Sequence, residues 1–204
     1  ELPADKLREK LAAASDAQME KLLPKDKATL TEYRRVVGAA LRVMVHDDLP
    51  SKAVMRQRGL EEIKKAGDYA LGRFVLGREA EDDAVPTAVL YGPKIDGGRA
   101  AVWLHPAGKA SMLDAGRPVP AVKTLLDAGW VVIAPDVFGV GELSVPGLSP
   151  VLQPHYGHTF AGYTYGYNRT PLANQVHDAL TAVAFARTRL KAKRVDLIGS
   201  GGLG

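Results

Sequence analysis

Two hydrophobic periodicities divide the chain. Up to about residue 66, apolar side chains recur at spacings of three and four. Charged, amphipathic stretches at 3–13 and 16–23 precede Pro24, and a longer stretch follows with Tyr33, Val36, Val37, Ala40, Leu41 and Met44 on one face. Thr29 with Glu32 makes a capping box for it, and "DDLP" at 47–50 stops it. Residues 1–66 therefore read as a helical N-terminal segment, packed on the main domain or linking it to an earlier one.

From Gly67 the pattern turns to strands. "DYALGRFVLGRE" and "VPTAVLYGPK" predict two neighbouring strands joined across the acidic turn Glu81-Asp82-Asp83. "RAAVWL", "WVVIAPD" and "RVDLIG" are continuous apolar runs, each read as a buried strand. Between them lie a short helix at 118–128 and a longer one at 172–190, the latter with Leu172, Val176, Leu180 and Val183 inward. Strands without polar alternation, separated by helices, predict an α/β fold: a mostly parallel sheet covered on both faces and led by antiparallel strands. Residues 142–170 form a long connection rich in Gly, Pro and Tyr.

Composition narrows the function. With 204 residues, 46% of them hydrophobic, the chain can bury a substantial core. Lys and Arg exceed Asp and Glu by only 27 to 23, and no segment concentrates the excess, so nucleic acid is a poor partner. The absence of cysteine removes disulfides, thiolate catalysis and Cys-based metal sites. No apolar run reaches the roughly 18 residues of a membrane span. The chain opens on Glu1 rather than Met, so a leader or earlier segment is expected, and an exported compartment is favoured over the cytoplasm.

The closing "RVDLIGSGGLG" admits two readings. Gly199, Gly201 and Gly204 satisfy the dinucleotide pattern G-x-G-x-x-G, which would cradle a pyrophosphate. The same residues stand where a strand turns sharply into a helix to present a nucleophile. A nucleotide-binding sheet carries its glycine loop after the first strand, whereas here at least two βα units come first.

The second reading has further support along the chain. His105-Pro106-Ala107-Gly108 follows the strand "AVWL", and Asp136, Gly139 and Gly141 form a D-x-x-G-x-G turn after "VIAP". "NQVHDALTAVAFARTR" precedes the final strand and its glycine loop. In order and spacing, residues 67–204 resemble the N-terminal half of an α/β-hydrolase, in particular the dienelactone-hydrolase and acetyl-xylan-esterase branch. The resemblance implies that the amides of Ala107 and Gly202 form an oxyanion hole. It implies that His105 orients its loop or touches substrate, and that Asp136 braces its turn. His177 reads as a packed or surface residue. Tyr163 and Tyr165, in the long connection, are candidates for substrate contact. No metal or cofactor is expected.

At the elbow the family pattern breaks. Aligning Gly199 with the first glycine of G-x-S-x-G puts Gly201 where the serine belongs and Ser200 one residue early. Three readings stay open: an ester hydrolase acting on acylated carbohydrate or a similar polar ester, using Ser200; a hydrolase-fold binding or scaffold module; and a nucleotide-dependent enzyme. Because an apolar "VDLIG" edge would lie bare, the chain is also expected to be part of a longer protein or to meet an adjacent domain.

Overall fold

The computed structural model describes residues 3–45, 48–50, 53–66, 68–78, 81, 83–144, 154–155, 158–159, 166 and 169–203. They belong to two compact units, Glu1–His46 and Asp47–Gly204. In the first unit, helix α1 (Ala4–Leu22) runs unbroken where the sequence suggested two stretches. Helix α2 (Lys27–Val45) starts a turn earlier than expected. Asp26 Oδ1 accepts the Thr29 N–H at 2.8 Å and Thr29 Oγ1 accepts the Asp26 N–H at 2.9 Å. The reciprocal box is thus Asp26 with Thr29. Glu32 lies inside the helix and pairs with Arg35 at 2.6 Å.

Helical character does not continue to residue 66. Ala53–Ala66 is a strand, β1, paired antiparallel with β2 (Tyr69–Arg78). The ladder slips between Arg56 and Glu61 and again between Glu61 and Lys64. Such irregularities blur the period-two signal, so pairing with β2 makes this segment a strand where its own pattern does not. β3 (Val85–Tyr91) runs antiparallel to β2, and β4 (Arg99–Leu104) follows. A short hairpin, β5 (Leu113–Asp114) with β6 (Arg117–Pro118), leads into α3 (Pro120–Asp127) and β7 (Val131–Pro135). The two-residue strands β8 (Pro154–His155) and β9 (His158–Thr159) pair with each other. α4 (Pro171–Thr188) and β10 (Arg194–Gly199) complete the unit.

The main sheet has the order β1-β2-β3-β7-β4-β10. β3 meets β7 antiparallel, whereas β7, β4 and β10 are parallel. Side chains alternate between two cores. Val85, Val89, Val102 and Ile133 face α4, where Ala182, Val183 and Phe185 close over them. Ala88, Leu90, Val132 and Ala134 face α3, which contributes Val122 and Leu126. Coverage on both faces is why these strands read as unbroken apolar runs.

Two expectations need correction. α4 turns a largely different face inward: Val183 is buried as expected, but so are Ala173, His177, Thr181, Ala182, Phe185 and Ala186, while Val176 and Leu180 are half-buried and Leu172 is 52% exposed. Small residues let the helix lie close on the sheet, and the larger aliphatics flank that contact. β10 is the sheet's edge rather than a buried strand. Its Val195 packs on the core, yet Leu197 is 57% exposed. Among the described residues, no helix is long and apolar enough to cross a membrane.

Candidate active site

The topology singles out one crevice. β4 lies between β7 and β10, and the chain leaves it through α3 on one face and comes back through α4 on the other. The carboxyl ends of β4 and β10 therefore flank a switch point, the place where α/β sheets open a ligand site. Two loops meet there.

The first continues β4. Gly108 N–H closes a turn onto His105 O at 2.8 Å. The His105 ring stacks on Trp103 with an interplanar angle of 5°, and its Nδ1 accepts the Ala107 N–H at 3.0 Å. Trp103 Nε1 donates to Ser111 Oγ at 3.0 Å, and that hydroxyl donates to Gly108 O at 2.6 Å. His105 thus holds its own loop. The amide that the sequence reading aims at an oxyanion, that of Ala107, is engaged by the same ring.

Asp136 ties this loop to the turn after β7. It is 1% exposed and accepts the N–H groups of Lys109 at 2.7 Å and Glu142 at 2.9 Å. Lys109 Nζ pairs with the same carboxylate and reaches Glu142 at 2.6 Å. Gly108 (φ +60°) and Gly141 (φ +57°) press on the carboxylate from two sides, and a Cβ on either would fall 2.2 Å from one of its atoms. Only glycine admits both the conformation and the approach. Asp136 braces its turn as the sequence suggested. Lys109 and Glu142, which complete the clamp, were not singled out, because isolated charged residues in a loop read as solvent-facing.

The second loop continues β10. Ser200 N–H extends the ladder to Leu104 O at 3.0 Å, and a 3-10 turn follows at Gly201–Leu203. Gly201 has φ +58°, and a Cβ placed there would lie 3.1 Å from Pro106 Cγ. Gly202 faces open space, and Leu203 packs on the core. The structure therefore brings together Pro106 and Gly201, while Ala107 and Gly202 line separate clefts on either side. Ser200 Oγ makes no hydrogen bond among the described residues. Tyr163, Tyr165 and Gly204 lie outside the described residues.

A buried polar network beside α4 was also missed. Arg78, 8% exposed, donates from Nε to Thr181 Oγ1 at 3.0 Å and from NH2 to His177 O at 3.1 Å. His177 is a packed residue, flanked by Asp83 Oδ2 at 3.2 Å and Arg169 NH1 at 2.5 Å. The available signal was "VHDALT", where His177, Asp178 and Thr181 interrupt a helix of alanines.

No family model matches the sequence. No curated protein matches it significantly. Solved structures do. A candidate acetyl xylan esterase from Bacteroides fragilis aligns with a TM-score of 0.58 at 14% identity, covering 84% of this chain and 47% of that one. A glucuronoyl esterase from Solibacter usitatus aligns with a TM-score of 0.52 at 14% identity, covering 88% and 54%. The likeness is one of fold, of the α/β-hydrolase type. The chain spans about half the length of these proteins.

Proposed function

We propose that residues 67–204 are the N-terminal half of an α/β-hydrolase-type domain, of the dienelactone-hydrolase and acetyl-xylan-esterase kind. Its switch-point crevice receives the acyl group of a carbohydrate ester or a similar polar ester. The observation that carries this reading is Gly201: two residues past Gly199, with φ +58°, packed beside the loop from β4. A nucleophile elbow holds its serine in such a strained strand-to-helix turn. The fold neighbours named for carbohydrate esters support the substrate class.

Glycine has no oxygen with which to attack a carbonyl. The crevice therefore binds esters or carboxylates through amides, that of Gly202 and that of Ala107 once its bond to His105 opens or is shared. Ser200 is the alternative nucleophile, in which case the domain is a working esterase. Turnover of p-nitrophenyl acetate decides between them. The wild type should be inert or slow, and Gly201→Ser should gain activity that a serine-directed phosphonate abolishes. Full activity in the wild type, lost in Ser200→Ala, would overturn the glycine register. The nucleotide reading gains no support from the topology, because this glycine loop follows β10, the last strand of the described sheet rather than the first.

A further inference from the structure

A second polar cleft, of about 310 Å³, opens on the flank of α4. Glu81 and Asp83 border it, with Phe138, Arg169, Asn174 and Asp178. Most of its polar wall is already engaged. Asp83 Oδ1 accepts the Arg78 N–H at 2.8 Å. Arg169 can only donate, so His177 Nδ1 is the acceptor of their 2.5 Å contact and Nε2 carries the proton facing Asp83. The polar groups of this part of the cleft are thus paired with one another.

Asp178 differs from the rest. It is 9% exposed, and its Oδ2 accepts the Phe138 N–H at 2.8 Å. Its Oδ1 has no hydrogen bond among the described residues. An ionised carboxylate can accept about four hydrogen bonds, and a buried one with a single partner calls for an occupant. The occupant must be a donor. Three carboxylates line the cleft, which disfavours an anion. Arg169 at its rim and the Arg78 guanidinium behind it offset two of those charges, so the donor need not be a cation. No group of three or more metal-ligating side chains is present among the described residues. Phe138, 37% exposed, adds an apolar surface whose backbone is fixed to the Asp178 carboxylate. An acceptor, an amide, a guanidinium edge and an aromatic ring together suit a neutral ring bearing hydroxyls and an apolar C–H face.

We propose that the cleft between Phe138 and Asp178 is a binding site for a neutral sugar ring, which donates a hydroxyl to Asp178 Oδ1. The site is separate from the Gly201 elbow and does not depend on whether that elbow cleaves esters.

Amide shifts of the ¹⁵N-labelled chain test this, with xylobiose as the probe and glucuronate and methylguanidinium as charged comparators. Xylobiose should move the amides of Phe138, Asn174 and Asp178 saturably, with a millimolar Kd. Asp178→Leu should weaken that binding about tenfold, the worth of one hydrogen bond. If the leucine variant does not fold, Asn174→Ala, at a partly exposed position, should weaken it instead. No saturable shift by about 50 mM sugar, well above millimolar affinity, overturns the proposal. So does preferential binding of either charged comparator, or undiminished binding in the folded variants. Amide shifts confined to Ala107, Gly201 and Gly202 would report the elbow alone and also overturn it.

Discussion

Gly201 and Pro106 face each other across the crevice: a Cβ on the glycine would sit 3.1 Å from the proline Cγ. That distance is tight without being prohibitive, since a proline ring can yield by a few tenths of an ångström. The positive φ adds strain of about 1 kcal/mol for any other residue. Gly201→Ser should therefore fold, with roughly 1–2 kcal/mol less stability in denaturant titrations. Pro106→Ala in the same chain should restore the crowding part and leave the backbone part. A serine variant as stable as the parent would mean that the turn does not hold this conformation.

The clamp on Asp136 gives a prediction with an internal control. Lys109 is 13% exposed at its side chain and pairs with a carboxylate that is 1% exposed. Lys109→Met would leave a buried charge with only its two backbone donors, a loss of about 3 kcal/mol. Lys123 and Asp127 form a pair of similar geometry on the surface, with side chains 55% and 47% exposed. Lys123→Met should leave stability nearly unchanged. Equal losses in the two variants would show that Asp136 is not buried as described.

His105 is expected to govern the Ala107 amide. Ala107 is exposed, so without the His105 Nδ1 acceptor its N–H would exchange freely with solvent. His105→Phe keeps a ring for stacking on Trp103 and removes the acceptor. Hydrogen exchange at Ala107 should then accelerate severalfold, while that of Val102 in β4 stays unchanged. Unaltered exchange at Ala107 would place its partner elsewhere.

What the sequence reveals depends on whether the relevant forces are local. β4 and β7 are legible because both faces are covered and their runs are almost wholly apolar, and β2 and β3 because an acidic turn separates them. β10 looks the same in sequence, yet among the described residues it is paired on one side only and Leu197 is exposed. The inward face of α4 is legible at Val183 but not at its alanines, which carry little hydrophobic signal although they allow the closest approach to the sheet. Within the site, Asp136, Gly108 and Gly201 are legible as motif positions. The Arg78 network is not, since its partners on α4 lie 99 and 103 positions away in the chain.

Asp178 should make stability depend on pH in the opposite sense to most carboxylates. Burial pushes its carboxyl up to about 6; the Phe138 N–H, His177 and Arg78 oppose that rise, and Asp83 adds to it. The folded chain therefore binds this proton more tightly than the unfolded chain, whose carboxyl titrates near 3.8. The contribution is fully present below that unfolded value and is lost as pH rises through about 6. A shift of this size corresponds to roughly 3 kcal/mol between the limits. Asp178→Asn cannot ionise, so the difference in unfolding free energy between parent and variant should move in favour of the variant from pH 4 to pH 7.5. Taking that difference cancels the pH dependence of the groups that do not interact with Asp178. Urea titrations at a series of pH values measure it, and a difference that stays flat across the interval would mean that Asp178 is solvated in the folded chain.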